Sequence, residues 1–346
     1  MENNEKKVSW RRVVLICLCV ILSLVLLLLI VAAIMMDRLL GSINRAPEQH
    51  QTLSSSELEE LQKPEVTIGE DYTGPIFNAD EITVPTETVN VIDDEDVVNI
   101  LLLGQDRRGG TRNGLTDVML LCSVNKETKT LTMTSFMRDL YLEIPGNYRA
   151  DKLNMAYPIG GFKMIDAALE VNFGVKVDGN VEVDFRQFAK IIDSLGGVDI
   201  EISGAESNYL LKQGYYVKAG MDHLNGAEAL AYSRIRMIDN DFNRTNRQRK
   251  VVTAIINQFK NASLGQITDT LVSVLRMITT DMTDAEIMGY AIELAPLLKD
   301  LQIKSQRIPA DDTYYFGHVR DQNIVDCIFI KDFETNRQLI ADIFED

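Results

Sequence analysis

Histidine and cysteine are scarce in this sequence, which contains three histidines and four cysteines. The histidines, at positions 50, 223 and 318, lie far apart and show no metal-ligand spacing. Two of the cysteines fall in an apolar run near the N-terminus. Cys122 and Cys327 lie in apolar, strand-like stretches, where we expect buried thiols, with a disulfide in an oxidising compartment as the alternative. Neither cysteine chemistry nor a histidine-based metal site is therefore predicted.

Two short motifs and a positive net charge are also lacking. The apolar run 97–103 leads into Gly104-Gln105-Asp106, which lacks the G-x-G-x-x-G pattern, so a dinucleotide site is unsupported. Ser233 lies in no G-x-S-x-G turn and has no evident histidine partner, which argues against a serine hydrolase. The net charge of −16 argues against a nucleic-acid partner for the chain as a whole.

Residues 13–36 form a long uncharged run, which predicts a single membrane anchor. At about 1.5 Å per helical residue the run would extend about 36 Å, enough to cross a hydrocarbon core of about 30 Å. Four basic residues precede it: Lys6, Lys7, Arg11 and Arg12. By the positive-inside rule they keep residues 1–12 in the cytoplasm and place the rest of the chain outside. A cleaved signal peptide is the alternative, but the run is long and no A-x-A-like site follows it.

Residues 37–96 carry most of the negative charge, with three basic and fifteen acidic residues. The segment is rich in Glu, Asp, Thr, Ser and Pro and has no sustained apolar period. This composition predicts an acidic, flexible stalk. As a flexible coil it would span about 45 Å, which keeps the following domain close to the membrane.

Residues 97–346 alternate strand-like and helix-like patterns, which predicts one α/β domain with helices covering a central sheet. Strands are predicted at 97–103, 118–124, 131–137, 181–184, 198–202, 303–308 and 324–330. Helices are predicted at 160–173, 185–195, 224–237, 242–262, 264–280, 284–299 and 333–344.

Two aspartates flank the first predicted turn of this domain. Asp106 follows the buried strand 97–103, and Asp117 opens the next strand, so a hairpin-like return would bring both carboxylates to one edge. Such a pair would repel unless a cation lay between them, and Mg²⁺ suits carboxylate ligands. The alternative is that both aspartates are merely solvated at strand ends.

Basic residues cluster in the region 231–251. Arg244, Arg247 and Gln248 fall at i, i+3 and i+4, so one helix face presents two guanidinium groups and an amide. Arginine binds phosphate in a bidentate manner. Arg234 and Arg236 lie just upstream, and Arg138 follows the strand 131–137. A solvated, salt-bridged helix face is the alternative interpretation.

Several stretches together resemble the catalytic domain of the LytR-CpsA-Psr family. The matching stretches are NILLLGQDRR (99–108), TDVMLL (116–121), SFMRDLYLEIPG (135–146), KLNMAYPIGG (152–161), VDFRQFAKIIDSLGGVDI (183–200) and HLNGAEALAYSRIR with DFNRTNRQR (223–249). The resemblance implies a central mixed β-sheet flanked by helices, carried behind an N-terminal transmembrane helix.

The resemblance also implies an activity: Mg²⁺-dependent transfer of a glycopolymer, of teichoic-acid or capsule type, from a polyprenyl-pyrophosphate carrier to a peptidoglycan hydroxyl. The donor lipid, the peptidoglycan acceptor and the membrane would be the partners. The protein would lie in the cell membrane of a Gram-positive-type bacterium, with the catalytic domain outside.

Residue roles follow from the same resemblance. Asp106 and Asp117 would hold Mg²⁺, and Asp241 would be the base for the attacking hydroxyl. The pyrophosphate would be bound by Arg138, Arg234, Arg236, Arg244, Arg247 and Gln248, of which Arg138 and Arg236 would also polarise it during the reaction.

Two positions depart from the family's common pattern. Leu115 occupies a position where many members have arginine, so that this arginine is missing or replaced by Arg112. Met137 stands where a proline usually precedes the arginine. Two alternatives to transfer remain: a non-catalytic regulator that binds lipid carrier or wall polymer, and a pyrophosphatase that passes the phosphate to water.

Overall fold

The computed structural model describes residues 40–46, 75–79, 82, 84, 89–105, 114–146, 150–261, 273–320 and 324–345. The predicted anchor at 13–36 lies outside these residues. Within them, no helix combines the length and the apolar character needed to cross a membrane.

One compact unit, Asn44–Asp346, contains both strands and helices. The strands are β1 (Asn44–Arg45), β2 (Ile76–Asn78), β3 (Val97–Gln105), β4 (Thr116–Asn125), β5 (Thr130–Phe136), β6 (Tyr141–Leu142), β7 (Asp151–Lys152), β8 (Gly179–Asp184), β9 (Val198–Ile202), β10 (Gly220–Leu224), β11 (Thr279–Thr280), β12 (Gln302–Ile308), β13 (Tyr314–Arg320) and β14 (Ile324–Ile330). The helices are α1 (Ala156–Phe173), α2 (Phe185–Ser194), α3 (Gly204–Lys212), α4 (Gly226–Ser233), α5 (Asp241–Asn261), α6 (Asp284–Leu294) and α7 (Phe333–Glu345).

A mixed seven-stranded sheet, in the order β1-β11-β8-β3-β4-β5-β12, forms the centre of this unit. Strand β3 runs parallel to β8, and β5 runs parallel to β12. Strand β4 is antiparallel to both β3 and β5. The carboxyl ends of β3, β5, β8 and β12 therefore meet at one edge, together with the amino end of β4.

Helices cover both faces of this sheet, as the α/β prediction requires. On one face, Leu101 and Phe136 pack with Ile165 of α1 and Ile340 of α7. On the other face, β4 and β5 residues such as Leu120 pack against α5 and α6. Every residue of β5 is buried, because a strand in this position has no solvated face.

Three smaller sheets are also described, one of which is the short antiparallel pair β6 and β7. Strands β9 and β10 pair, and their apolar residues pack with α2, α3, α4 and α5 in a second core. Strands β14, β13 and β2 form a three-stranded sheet, in which Phe77 packs edge-on against Phe329 with ring centroids 5.1 Å apart.

Short parts of residues 37–96, the segment predicted as a stalk, pair with strands of the domain. Strand β1 pairs with β11, strand β2 pairs with β13, and Ile92 bridges to Val175. These pieces contain a few apolar residues that pack, such as Phe77 and Ala79, although the average composition of the segment is polar.

Some predicted helices also differ from the structure. Leu224 ends a strand, and helix α4 occupies only the middle of the predicted helix 224–237. The predicted helix 264–280 ends in strand β11, and residues 262–272 lie outside the described part. Cys122 and Cys327 are free thiols, and burial raises the pKa of Cys122 to about 12.

Candidate functional site

A β-bulge positions Asp117 at the edge where the strand ends meet. The pairing of β3 and β4 shifts between Gly104 and Gln105, so that Gln105 pairs with Thr116 and Asp117 is passed over. A bulge bends the strand and turns a side chain out of the regular alternation. The Asp117 carboxylate is thereby presented at the sheet edge, next to the residues that follow β5.

Arg138 reaches this carboxylate from the turn after β5. The backbone N–H of Met137 donates to the Ile308 carbonyl oxygen at 3.0 Å, a bond that a proline at this position could not make. The backbone N–H of Asn154 donates to the Arg138 carbonyl oxygen at 3.2 Å. With its backbone held on both sides, Arg138 donates from Nη1 to Asp117 Oδ1 at 2.7 Å.

Asp117 is held in its charged form by the arginines around it. Burial alone raises the pKa of Asp117, but the charges of Arg138, Arg244 and Arg236 outweigh burial and hold the pKa below its usual value. Arg236 contributes from 3.6 Å, the distance between its Nη2 and Asp117 Oδ1. Asp117 is therefore a carboxylate at neutral pH.

Helix α5 brings a second carboxylate and a third arginine to the same place. Asp241 is its first residue, and Arg244 lies one turn later with only 2% of its side chain exposed. Arg244 Nη2 donates to Asp241 Oδ2 at 2.7 Å, and the charged Nη1 lies 2.7 Å from Oδ1.

Burial weakens the charged form of both partners in this pair. Burial raises the pKa of Asp241, although Arg244, Arg138 and Arg236 each lower it. The pKa of Arg244 falls to about 10, again chiefly because of burial. Asp241 is therefore a better proton acceptor than an ordinary aspartate, while Arg244 remains charged at neutral pH.

The two carboxylates belong to one network. Arg138 Nε lies 4.0 Å from Asp241 Oδ2, and Arg236 Nε lies 3.9 Å from Asp241 Oδ1. Both arginines therefore bridge Asp117 and Asp241. We call Asp117, Arg138, Arg236, Asp241 and Arg244 the arginine–aspartate cluster.

Two charged residues beside this cluster, Asp139 and Lys152, were not predicted from the sequence to belong to the site. Asp139 Oδ2 lies 3.3 Å from Arg138 Nε, and Lys152 Nζ donates to Asp139 Oδ1 at 3.1 Å. Both lie within the family-like stretches, but nothing in their spacing distinguishes them from solvated charges.

The other predicted site residues lie differently. Arg234 is exposed at the end of α4, with its guanidinium 4.6 Å from the centroid of the Phe185 ring. Gln248 is half-buried on α5, four residues after Arg244. Asp106 lies outside the described residues, although in sequence it directly follows Gln105 at the end of β3.

The contacts of Arg247 lie outside the arginine–aspartate cluster, and its role in binding pyrophosphate stays a prediction. Its Nε donates to Glu206 Oε1 at 2.7 Å, its Nη1 donates to the Ile235 carbonyl oxygen at 2.9 Å, and its Nη2 pairs with Asp239. Arg247 lies three residues after Arg244 on helix α5, and its side chain points toward helix α3 and the second core. These contacts support the fold of that region.

The chain matches one family model over most of its length. The model of the LytR_cpsA_psr family matches residues 70–327.

Two relatives carry the same name, polyisoprenyl-teichoic acid–peptidoglycan teichoic acid transferase TagU. The protein from Bacillus licheniformis is 41% identical over 179 residues, which cover 51% of this chain and 56% of that protein. The chain therefore spans little more than half the length of that relative. The protein from Bacillus cereus AH820 is 32% identical over 232 residues, covering 65% of this chain and 74% of that protein.

Among solved structures, TagT bound to LIIa-WTA superposes with a TM-score of 0.59. The superposition covers 78% of this chain and 99% of that chain at 24% sequence identity. At this identity the likeness shows the fold: a central mixed sheet flanked by helices.

Proposed function

Because the chain belongs to the LytR_cpsA_psr family, we propose that it is a phosphotransferase that moves a teichoic-acid-type glycopolymer from a polyprenyl-pyrophosphate carrier to a peptidoglycan hydroxyl. The TagU relatives are named for this kind of transfer. The observation that supports it most directly is the arginine–aspartate cluster, in which three arginines converge on two carboxylates at a sheet edge.

The three arginines suit a pyrophosphate. Transfer at a pyrophosphate places negative charge on the non-bridging oxygens and on the leaving phosphate, and prepositioned donors stabilise that charge. Arg138, Arg236 and Arg244 are already oriented by Asp117 and Asp241, so little reorganisation is needed when the donor binds.

Asp241 is the proposed base. The acceptor hydroxyl oxygen attacks the sugar-proximal phosphorus, its proton passes to an Asp241 carboxylate oxygen, and the bond to the bridging oxygen breaks so that polyprenyl phosphate leaves. The raised pKa of Asp241, caused by burial, favours its acceptance of this proton.

Asp117 fits one ligand position of a divalent cation. Its Oδ1 contacts Arg138 and Arg236, whereas Oδ2 accepts no hydrogen bond from the described part of the chain. Among the described residues, no group of three or more Asp, Glu, His or Cys side chains is placed to bind a metal. Mg²⁺ needs no such group, because it keeps waters and takes substrate phosphates as ligands. Asp106 and Asp117 would hold it, and the ion would neutralise charge on the pyrophosphate.

The membrane remains part of the proposal. Residues 13–36 would anchor the chain with residues 1–12 in the cytoplasm and the catalytic domain outside. A lipid-linked donor is embedded in the bilayer, so an anchored enzyme meets it without leaving the membrane.

The full-length chain in detergent provides the test, with polyprenyl-pyrophosphoryl disaccharide, Mg²⁺ and a peptidoglycan oligomer. We expect Mg²⁺-dependent joining of the saccharide to the oligomer, detected by mass. Release of phosphorylated disaccharide despite the acceptor would identify a pyrophosphatase, and donor binding without turnover would identify a binding regulator. Lys250→Gln serves as the matched control, because it removes an exposed charge from helix α5, which also carries Asp241 and Arg244. This variant should retain full activity.

A further inference from the structure

Helix α5 carries a buried arginine that the arginine–aspartate cluster does not include. Arg249 is only 8% exposed. Its Nη1 donates to the Ser135 hydroxyl oxygen at 2.8 Å, while its buried Nε has no hydrogen-bond partner among the described residues. No carboxylate in the described ranges forms an ion pair with it. Arg249 is therefore a buried positive charge without a counterion in the part of the chain that the structure describes.

A second arginine lies beside it. Arg307 on β12 is paired in register with Ser135 on β5, the residue that Arg249 contacts. Its guanidinium lies 4.4 Å from the centroid of the Phe242 ring, and it forms an ion pair with the exposed Asp311. The Arg307 Nε is also buried and unbonded within the described part of the chain.

Burying the positive charge of Arg249 without a counterion destabilises the folded protein unless a bound anion pairs with it. Burial, and secondly the charge of Arg307, lowers the pKa of Arg249 to about 10, so Arg249 is still protonated at neutral pH. A buried charge is normally paired, because desolvation without a partner is expensive. Arg247 on the same helix follows that rule, with Glu206 and Asp239 as partners.

The Arg249–Arg307 pair lies at the same sheet edge as the arginine–aspartate cluster. Ser135 and Arg307 are the last residues but one of β5 and β12. Arg138 lies three residues beyond Ser135, and Phe242 directly follows Asp241. The pair therefore adjoins the cluster at this sheet edge.

We propose that Arg249 and Arg307 form a second anion site, which binds a phosphodiester of the glycan next to the pyrophosphate. The inference rests on the proposed function and assigns residues of this chain to the part of the glycan beyond the pyrophosphate. A neighbouring aromatic surface suits the attached sugar: the Phe242 ring packs against Tyr314 and Phe316, with centroids 5.1 and 6.2 Å away. Phe316 is 60% exposed, so its ring is accessible to a ligand.

Kinetics with two donors test this site. Both carry the same polyprenyl pyrophosphate and disaccharide, and only one carries a glycerol phosphate on the disaccharide. In Arg249→Met of the full-length chain we expect KM to rise about tenfold for the phosphate-bearing donor, as for a lost charge-assisted hydrogen bond. We expect the uncharged donor to keep its KM, and kcat to stay unchanged for both. Lys250→Met is the matched control.

A binding measurement separates this inference from the proposed function. Inorganic phosphate should raise the midpoint of thermal unfolding of the wild type, and this rise should be smaller in Arg249→Met. If the wild type transfers neither donor, the proposed function fails, whereas the phosphate titration still decides the anion site.

Three results would overturn the site: an equal rise in KM for both donors, no change for either, or equal stabilisation of variant and wild type by phosphate. The first would assign Arg249 to the pyrophosphate instead. If Arg249→Met does not fold, Arg307→Gln takes its place with the same expected results, because Arg307 is more exposed.

Discussion

Replacing Arg244 by glutamine should shift the pH dependence of the reaction upward, because Arg244 lowers the pKa of the proposed base. Asp241 must be ionised to accept a proton, so kcat rises with pH through its pKa in the donor complex. Arg244 is foremost among the charges that lower this pKa, followed by Arg138 and Arg236, while Asp139 raises it. Without Arg244 the carboxyl holds its proton to higher pH, and the acid limb moves in that direction.

The size of the shift follows from the geometry of the pair. Two unit charges about 4 Å apart interact by about 4 kcal/mol at an effective dielectric constant of about 20. That figure is a ceiling, because the Asp241 side chain is 28% exposed and solvent screens the pair. We expect about 1.5–2 kcal/mol, which corresponds to a shift of about 1–1.5 pH units.

The assay measures kcat as a function of pH at saturating donor, so that weaker donor binding in the variant does not affect the measured rate. Lys250→Gln removes an exposed charge from the same helix and should leave the acid limb in place. An acid limb at the same pH in Arg244→Gln and the wild type would refute the assignment of Asp241 as the titrating base. A shift to lower pH would refute it equally.

Three further predictions concern single residues. Asp117→Asn should reduce kcat by about 10²–10³, as for a lost electrostatic group at the reacting centre, with unchanged circular dichroism; full activity would remove Asp117 from the site. Arg247→Met should lower the free energy of unfolding by about 3–5 kcal/mol, because Glu206 loses its ion-pair partner. The variant should keep kcat/KM within about twofold of the wild type. A large rise in donor KM would instead support the predicted role of Arg247 in binding pyrophosphate. Burial, and secondly the charge of Asp281, raises the pKa of Asp166 to about 7, although a hydrogen bond from Asn180 opposes the shift. The folded state therefore binds this proton more tightly than the unfolded state, and stability should fall as pH rises from about 4 to about 7 and then level off. In Asp166→Asn the decrease in the free energy of unfolding over this pH range should be smaller by about 2–4 kcal/mol. Urea unfolding at several pH values measures it. The same pH dependence in the variant and the wild type would contradict this role of Asp166.

Strands β3 and β4 of the central sheet were predictable because each contains a long apolar run. The runs 97–103 and 118–124 lie inside β3 and β4, since a strand covered on both faces contains few polar interruptions. Short strands such as β1, β2 and β11 were not predictable, because pieces of two or three residues carry no period of their own.

The candidate site was predictable in its residue types and less so in its membership. Arg244 and Arg247 carry the same charge on the same helix, and spacing alone grouped them together. In the structure Arg244 pairs with Asp241, while Arg247 pairs with Glu206, which lies 41 positions earlier in the chain. Local sequence around Arg247 does not indicate that Glu206 will be its partner. Only the tertiary contact between α3 and α5 distinguishes the role of Arg247 from that of Arg244.

By itself, the sequence determined the family, the α/β class and the collection of aspartates and arginines, because these depend on composition and local order along the chain. The tertiary structure alone decided which charges face one another: Asp117 with Arg138, Asp241 with Arg244, and Arg249 with no carboxylate among the described residues. Charges act through distance and burial in space. Both are set by contacts between residues far apart in sequence, such as Ser135 and Arg249, and so they emerge only on folding.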